Sequence, residues 1–201
     1  GLGNTYNYTS PIQVGTDTDW KYVDSGNYFT VALKTNNTFW TWGYNSNGQL
    51  GSGSSATQFR PTQLGTDTWL SVSCGATHSV GIKNNGTLWA WGANNQFQSG
   101  GSNYADKITP TQIGTDTFWE TVITNGDFSF AIKNDGTIWG WGRSNRGQLG
   151  VVSSSYFYGP TTPVACPGIL DTKSFNSFSD FSIYPNPATS ILNIAMNDEV
   201  L

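Results

Sequence analysis

The sequence is short of charge, of helix formers and of chemically versatile side chains. Only 11% of its 201 residues are charged, against about 25% in an ordinary soluble domain. With two Glu, one Met and one His, neither a helical bundle nor an α/β nucleotide fold is expected. Two cysteines, Cys74 and Cys166, are too few for a disulfide framework or a cysteine zinc site. They read as one buried thiol and one exposed thiol. The net charge is −4 and the nine Lys and Arg are scattered, so nothing clusters to displace counterions from nucleic acid. No apolar run approaches the roughly 18 residues of a membrane-spanning helix. Gly1-Leu2-Gly3-Asn4 has neither the basic stretch nor the apolar core of a signal peptide. No nucleic-acid partner, membrane span, metal or cofactor is expected.

Glycine, at 24 residues, and aromatics, at 14%, are abundant, which is the composition of short strands and tight turns. The nine Trp form three series: Trp20, Trp69 and Trp119; Trp40, Trp89 and Trp139; Trp42, Trp91 and Trp141. Each series recurs about every 50 residues. Gly-Thr-Asp-Thr recurs at Gly15, Gly65 and Gly114 after Pro11, Pro61 and Pro110, and a Lys recurs at Lys34, Lys83 and Lys133. The chain is therefore a threefold repeat. Within it Val31 and Leu33, Val80 and Ile82, then Phe130 and Ile132 alternate with smaller or polar residues, the period of a strand. A turn follows at Asn36-Asn37, Asn85-Gly86 or Asp135-Gly136, and the last two read as two-residue hairpin turns with positive φ at both positions. The next strand puts two Trp on one face. Strands starting near residues 20, 69 and 119, and Pro-led strands near 61–64 and 110–113, bring each repeat to four strands. That is one blade of a β-propeller.

The end of the second hairpin strand carries a resemblance. Trp40 to Gly51 reads W-T-W-G-Y-N-S-N-G-Q-L-G, and Trp139 to Gly150 reads W-G-W-G-R-S-N-R-G-Q-L-G. Gly75 to Lys83 reads G-A-T-H-S-V-G-I-K. Together these resemble regulator of chromosome condensation repeats. Repeat two departs from the pattern, with Asn95-Gln96-Phe97-Gln98-Ser99-Gly100, so a remodelled loop is expected there. Repeat three has Asn125 where Gly26 and Gly75 stand, with Gly126 beside it to compensate. The resemblance implies an all-β fold, about three four-stranded blades of a seven-bladed ring. Three blades cannot close a ring, so the chain reads as the C-terminal part of a longer propeller protein. Alone, it is expected to be poorly stable or to self-associate.

Residues 1–164 make up the propeller part, with repeats at about 11–60, 61–109 and 110–163 by the spacing of the repeat. Residues 165–180 have a linker composition. In 181–201, Pro185 and Pro187 flank Asn186 between two apolar segments, which reads as strand, constrained turn and strand. This segment resembles the opening of a type IX secretion system C-terminal sorting domain, a β-sandwich-like module. Tyr184-Pro185-Asn186-Pro187 is its signature turn. The resemblance implies export by the type IX machinery of a Bacteroidota-type bacterium, followed by release or attachment at the outer-membrane surface.

No residue is expected to be catalytic. His78 occupies a position held by Phe29 and Phe128 in the other repeats, so it reads as packing. Asp17, Asp67 and Asp116 read as Asx turns. The Trp pairs read as core between blades; stacking on sugars is the alternative. The loop after each Trp-Gly varies while the strands repeat, as expected of a scaffold presenting a partner-specific surface. Its candidate residues are Tyr44, Asn45 and Asn47; Asn94, Gln96 and Phe97; and Arg143, Asn145 and Arg146. The function read from the sequence is a noncatalytic, secreted or surface-attached recognition module for a protein. A lectin-like propeller binding a glycan is the second reading, and an accessory region of a larger secreted enzyme the third.

Overall fold

The computed structural model describes residues 1–150, 159–160 and the strand backbones at 182–184 and 193–195. The chain divides into two compact units, Gly1–Val164 and Ala165–Leu201. Among the described residues all helix or strand structure is β.

In the first unit β1 (Trp20–Ser25), β2 (Phe29–Lys34) and β3 (Thr38–Gly43) pair antiparallel in chain order. Next comes β4 (Gln58–Cys74), 17 residues long, which serves two sheets. Its first half pairs with β3. Its second half pairs with β5 (His78–Lys83), and β6 (Leu88–Gly92) and β7 (Lys107–Gln112) complete that sheet. A separate sheet holds β8 (Trp119–Asn125), β9 (Phe128–Lys133) and β10 (Ile138–Gly142). Blade 1 thus runs from β1 into the first half of β4, blade 2 from its second half to β7, and blade 3 from β8 to β10. The break expected before Trp69 is missing because Thr68 pairs with Thr38 and Trp69 N donates to Asn37 O at 2.9 Å. Pro61 and Pro110 sit in the outer strands, where a missing N–H costs no ladder bond.

The hairpin turns differ from expectation. Only Asn37, Gly86 and Gly136 have positive φ, and Gly86 N donates to Lys83 O. Each loop is three residues long with one left-handed residue at its end, a geometry that follows the twist of the flanking strands. Asn36, Asn85 and Asp135 supply the Asx contacts instead, each side chain accepting from the amide and hydroxyl of the Thr two residues on.

The core lies between blades. One cluster joins Val31, Leu33, Phe39 and Leu50 of blade 1 to Trp69, Val72 and Trp91 of blade 2. A second joins Val80, Ile82 and Leu88 to Trp119, Val122 and Trp141 of blade 3. The loop carbonyl of Gln49 accepts from Ser79 Oγ at 2.8 Å and Trp91 Nε1 at 2.9 Å. The Gln98 carbonyl accepts from Ser129 Oγ and Trp141 Nε1, both at 3.0 Å. The outer faces of blades 1 and 3 are more open. Val23 is 63% exposed where Val72 is 2%, and Ile138 is 41% exposed where Leu88 is 0%.

A second motif recurs at the opposite end from the variable loops. Lys34, Lys83 and Lys133 each lie between two Trp rings, with Lys83 Nζ 3.6 Å from the Trp89 ring centroid. Each ammonium is met by Asp17, Asp67 or Asp116 at 2.6–2.8 Å. The recurring Asp are therefore ion-pair partners rather than Asx-turn residues. Lys83→Met keeps the stem between the rings and removes the charge. It is expected to cost about 1 kcal/mol, the sum of one cation–π contact and one half-exposed ion pair, read from the urea midpoint.

In the second unit β11 (Ser182–Tyr184) pairs antiparallel with β12 (Asn193–Ala195). Cys166, the linker at 165–180 and Pro185, Asn186 and Pro187 lie outside the described residues, and Tyr184 is described only as strand backbone.

Candidate partner-binding end

The turns after the inner strands and the loops after the Trp-Gly pairs gather at one end of the unit. Tyr44 N donates to Tyr28 O at 2.8 Å, Ala93 N to Thr77 O at 2.9 Å and Arg143 N to Asp127 O at 3.0 Å. Each blade therefore joins two residues at this end: Tyr28–Tyr44, Thr77–Ala93, of which Ala93 is buried, and Asp127–Arg143. In blade 3 the Arg143 guanidinium also approaches the Asp127 carboxylate, at 3.4 Å. Tyr28 is 86% exposed and has φ 66°, a left-handed conformation that costs a side-chain-bearing residue about 1–2 kcal/mol.

Three candidates from the sequence are not on this surface. Asn45 and Asn94 are fully buried and hold their loops closed. Asn45 Oδ1 accepts from Leu50 N at 2.9 Å while Nδ2 donates to Ser54 O and Ala56 O. Asn94 does the same, accepting from Ser99 N and donating to Gly100 O and Asn103 O. Phe97 is 1% exposed, its ring 4.5 Å from that of Tyr104. The loop of repeat two is not remodelled: Phe97 takes φ 58° where Gly48 and Gly147 have 77° and 72°. Asn47 and Gln96 are half-buried, and their backbone N–H groups donate to the side-chain oxygens of Gln49 and Gln98. Tyr44, Asn145 and Arg146 are exposed and Arg143 is half-buried.

The inner-strand turns meet backbone to backbone. Asn27 N donates to Ala76 O and Ala76 N to Gly126 O. A Cβ on Gly26 would lie 2.3 Å from the Gly75 carbonyl oxygen, so the close approach of these tips requires glycine there. Asn125 ends β8 in extended backbone and Gly126 takes positive φ, at 49°. The turns border a cleft of about 500 Å³ lined by Asp24, Ser25, Cys74 and Thr124 among others. Asp24 Oδ2 accepts from Ser73 Oγ at 2.8 Å and Cys74 N at 2.9 Å. Burial, then the Asp24 charge, pushes the Cys74 thiol up, so it is no nucleophile near neutral pH.

His78 is fully buried with Nε2 2.8 Å from Ser129 Oγ. Burial drives it down to about 3, which leaves it neutral and out of reach of a substrate. Among the described residues no three His, Cys, Asp or Glu converge as a metal site would require, and no helix is long and apolar enough to cross a membrane.

Two models of the regulator of chromosome condensation (RCC1) repeat match this sequence. One matches residues 36–82 and the other residues 20–49, 69–98 and 124–148. The chain carries RCC1 repeats. The three segments of the second match each contain a β-hairpin of one blade, which places the three RCC1 repeats on three blades of a partial β-propeller. Solved structures agree. A chain in the crystal structure of Kap60 bound to yeast RCC1 (Prp20) is similar with a TM-score of 0.65 at 21% identity. Saccharomyces cerevisiae Prp20p, whose structure was described with its binding to Gsp1p and histones, gives 0.63 at 23%. Human WBSCR16 gives 0.64 at 25%. These matches cover 73%, 73% and 75% of this chain but only 37%, 38% and 40% of the solved ones. The chain thus spans well under half the length of its solved RCC1-type neighbours.

Sequence reasoning missed Tyr28 and Asp127. The signal was present, since the residue before Phe29, His78 and Phe128 is Tyr, Thr or Asp in the three RCC1 repeats. Variation at that turn is as marked as in the loop that was singled out.

Proposed function

We propose that this chain is the RCC1-repeat part of a noncatalytic protein-recognition module, binding its partner through the end that carries Tyr28 and Tyr44. The observation that carries this reading is Tyr28, held 86% exposed in a left-handed conformation. Strain kept at an exposed position marks a site where side-chain placement matters, and tyrosines at low entropy cost are favoured in protein contacts. Thr77–Ala93 and Asp127–Arg143 give each blade a different tip on one scaffold. A photoreactive residue at position 44, compared with one at Asn36 on the opposite end, tests this. A discrete protein adduct from position 44 alone is expected on the surface of the producing bacterium. Adducts from both positions or neither would reject the assignment.

Tyr28→Gly removes the ring and relieves the strained φ. Stability is expected to be unchanged or raised by up to about 1 kcal/mol, while the adduct at position 44 falls at least tenfold. The sugar-stacking alternative is less well supported, because every Trp is buried or half-buried and Trp40, Trp89 and Trp139 stack on lysines.

Export by a type IX system, with a secreted or outer-membrane-attached location, belongs to the same proposal. Its support is the Tyr184-Pro185-Asn186-Pro187 segment, which begins on the last residue of β11 and precedes its antiparallel partner β12. Replacing Pro185 and Pro187 by Ala in a host with that machinery should retain the protein in the periplasm. Unchanged export would remove this part of the reading.

A further inference from the structure

The cleft bordered by the inner-strand turns has an electrostatic feature that the tyrosine tips do not explain. Asp17, Asp19, Asp67, Asp116 and Asp127 each meet a Lys or Arg. Asp24 lines the cleft and, like Asp106 and Asp135, is in no ion pair with a Lys or Arg among the described residues. Its hydrogen-bond partners are all neutral: Ser73 Oγ, Cys74 N, Ser25 N and the Cys74 thiol. Tyr22 and Cys74 are both raised by burial first and by the Asp24 charge second, and those groups offer it no positive charge.

The walls around this carboxylate are polar and short. Ser25, Thr124 and the glycine turns leave about 500 Å³ open beside it. The cleft adjoins Asn27, the neighbour of Tyr28. A carboxylate held by neutral donors keeps lone pairs for a further donor, and a cation supplies both hydrogen bonds and charge. In the other blades the position of Asp24 is held by Ser73 and Ile123, so the charge belongs to blade 1 alone.

We infer that this cleft is a receptor for a basic side chain, with the Asp24 carboxylate binding the guanidinium or ammonium of an Arg or Lys that a partner protein inserts beside Tyr28. The inference rests on the reading of this end as the binding end and adds the chemistry of the group it takes. A guanidinium brings five donors in a planar fork, enough to reach the carboxylate and the Thr124 hydroxyl together.

The test uses the whole chain and a small probe, the capped tripeptide Gly-Arg-Gly, followed by amide NMR. Saturable shifts at Gly26, Gly75 and Gly126 are expected, with millimolar affinity for so small a ligand. Asp24→Asn keeps an acceptor for Ser73 and Cys74 N and loses only the one for Ser25 N, and is expected to weaken binding at least tenfold while moving the melting temperature little. The same peptide with citrulline for arginine should give no shift. Shifts that are absent, or that persist with citrulline or in Asp24→Asn, would overturn the assignment. The crosslinking result at position 44 is independent. A dead cleft with a live adduct rejects only the basic side chain, and a live cleft with no adduct rejects the partner protein and leaves Asp24 as a site for a basic group alone.

Discussion

Trp91→Ala is expected to cost about 3–5 kcal/mol, the range for emptying a buried Trp site, and so a large share of a typical domain's stability of about 5–15 kcal/mol. The ring is fully buried and touches Phe39 and Trp69, with centroids 5.6 Å away in each case. Its Nε1 closes the hydrogen bond to the Gln49 carbonyl. The substitution therefore opens a cavity at the junction of blades 1 and 2 and removes a bond between them. Trp42→Ala, at the same position of blade 1, is the comparison. Trp42 is only half-buried, so its removal should cost less than about 2 kcal/mol, in proportion to the apolar surface it hides. Urea unfolding of the two variants decides the matter. Equal costs would mean that Trp91 is not held between blades.

Acid should destabilise the protein through His78. Burial lowers its pKa from 6.5 to about 3 in the folded chain, so between those values the unfolded state binds more protons. The stability from keeping this ring neutral is complete above pH 6.5 and is lost as pH falls toward 3. At about pH 4.5 the loss amounts to about 2–3 kcal/mol, at 1.36 kcal/mol per pH unit for one proton. His78→Phe should remove this slope, because Phe29 and Phe128 fill the same position in the flanking blades. Ser129 Oγ still has the Gln98 carbonyl to donate to. Urea midpoints over this pH range measure both chains. An equally steep slope in the Phe variant would assign the acid sensitivity to the carboxylates.

The period of the sequence carried most of the fold. Trp at equivalent positions, alternating strands and left-handed turn residues are all local signals, and repetition multiplies each by three. Polar residues in the loops were harder to read. Asn45 and Asn94 look like surface residues because amides are usually solvated. A long loop leaves backbone groups in need of partners, and these two side chains satisfy them from inside. Phe97 misled in the opposite way. An aromatic beside Gln and Asn suggested an exposed anchor, yet its ring is buried in the loop. The cleft at Asp24 had no sequence signal, since it exists only where the turns of three blades, about 50 residues apart in each step, come together.

The contacts of Gln49 and Gln98 with the following blade have one further consequence. In both, the acceptor is a backbone carbonyl, which any residue would provide, while the hydroxyl and indole donors sit on the incoming blade. The loop can change from Gly-Gln-Leu-Gly to Phe-Gln-Ser-Gly without altering the joint. A gene encoding such units can lengthen or shorten by whole tandem copies, because each new copy brings the donors and finds the acceptor in place. Divergence is then free to concentrate at the tips, where Tyr28, Thr77 and Asp127 already differ.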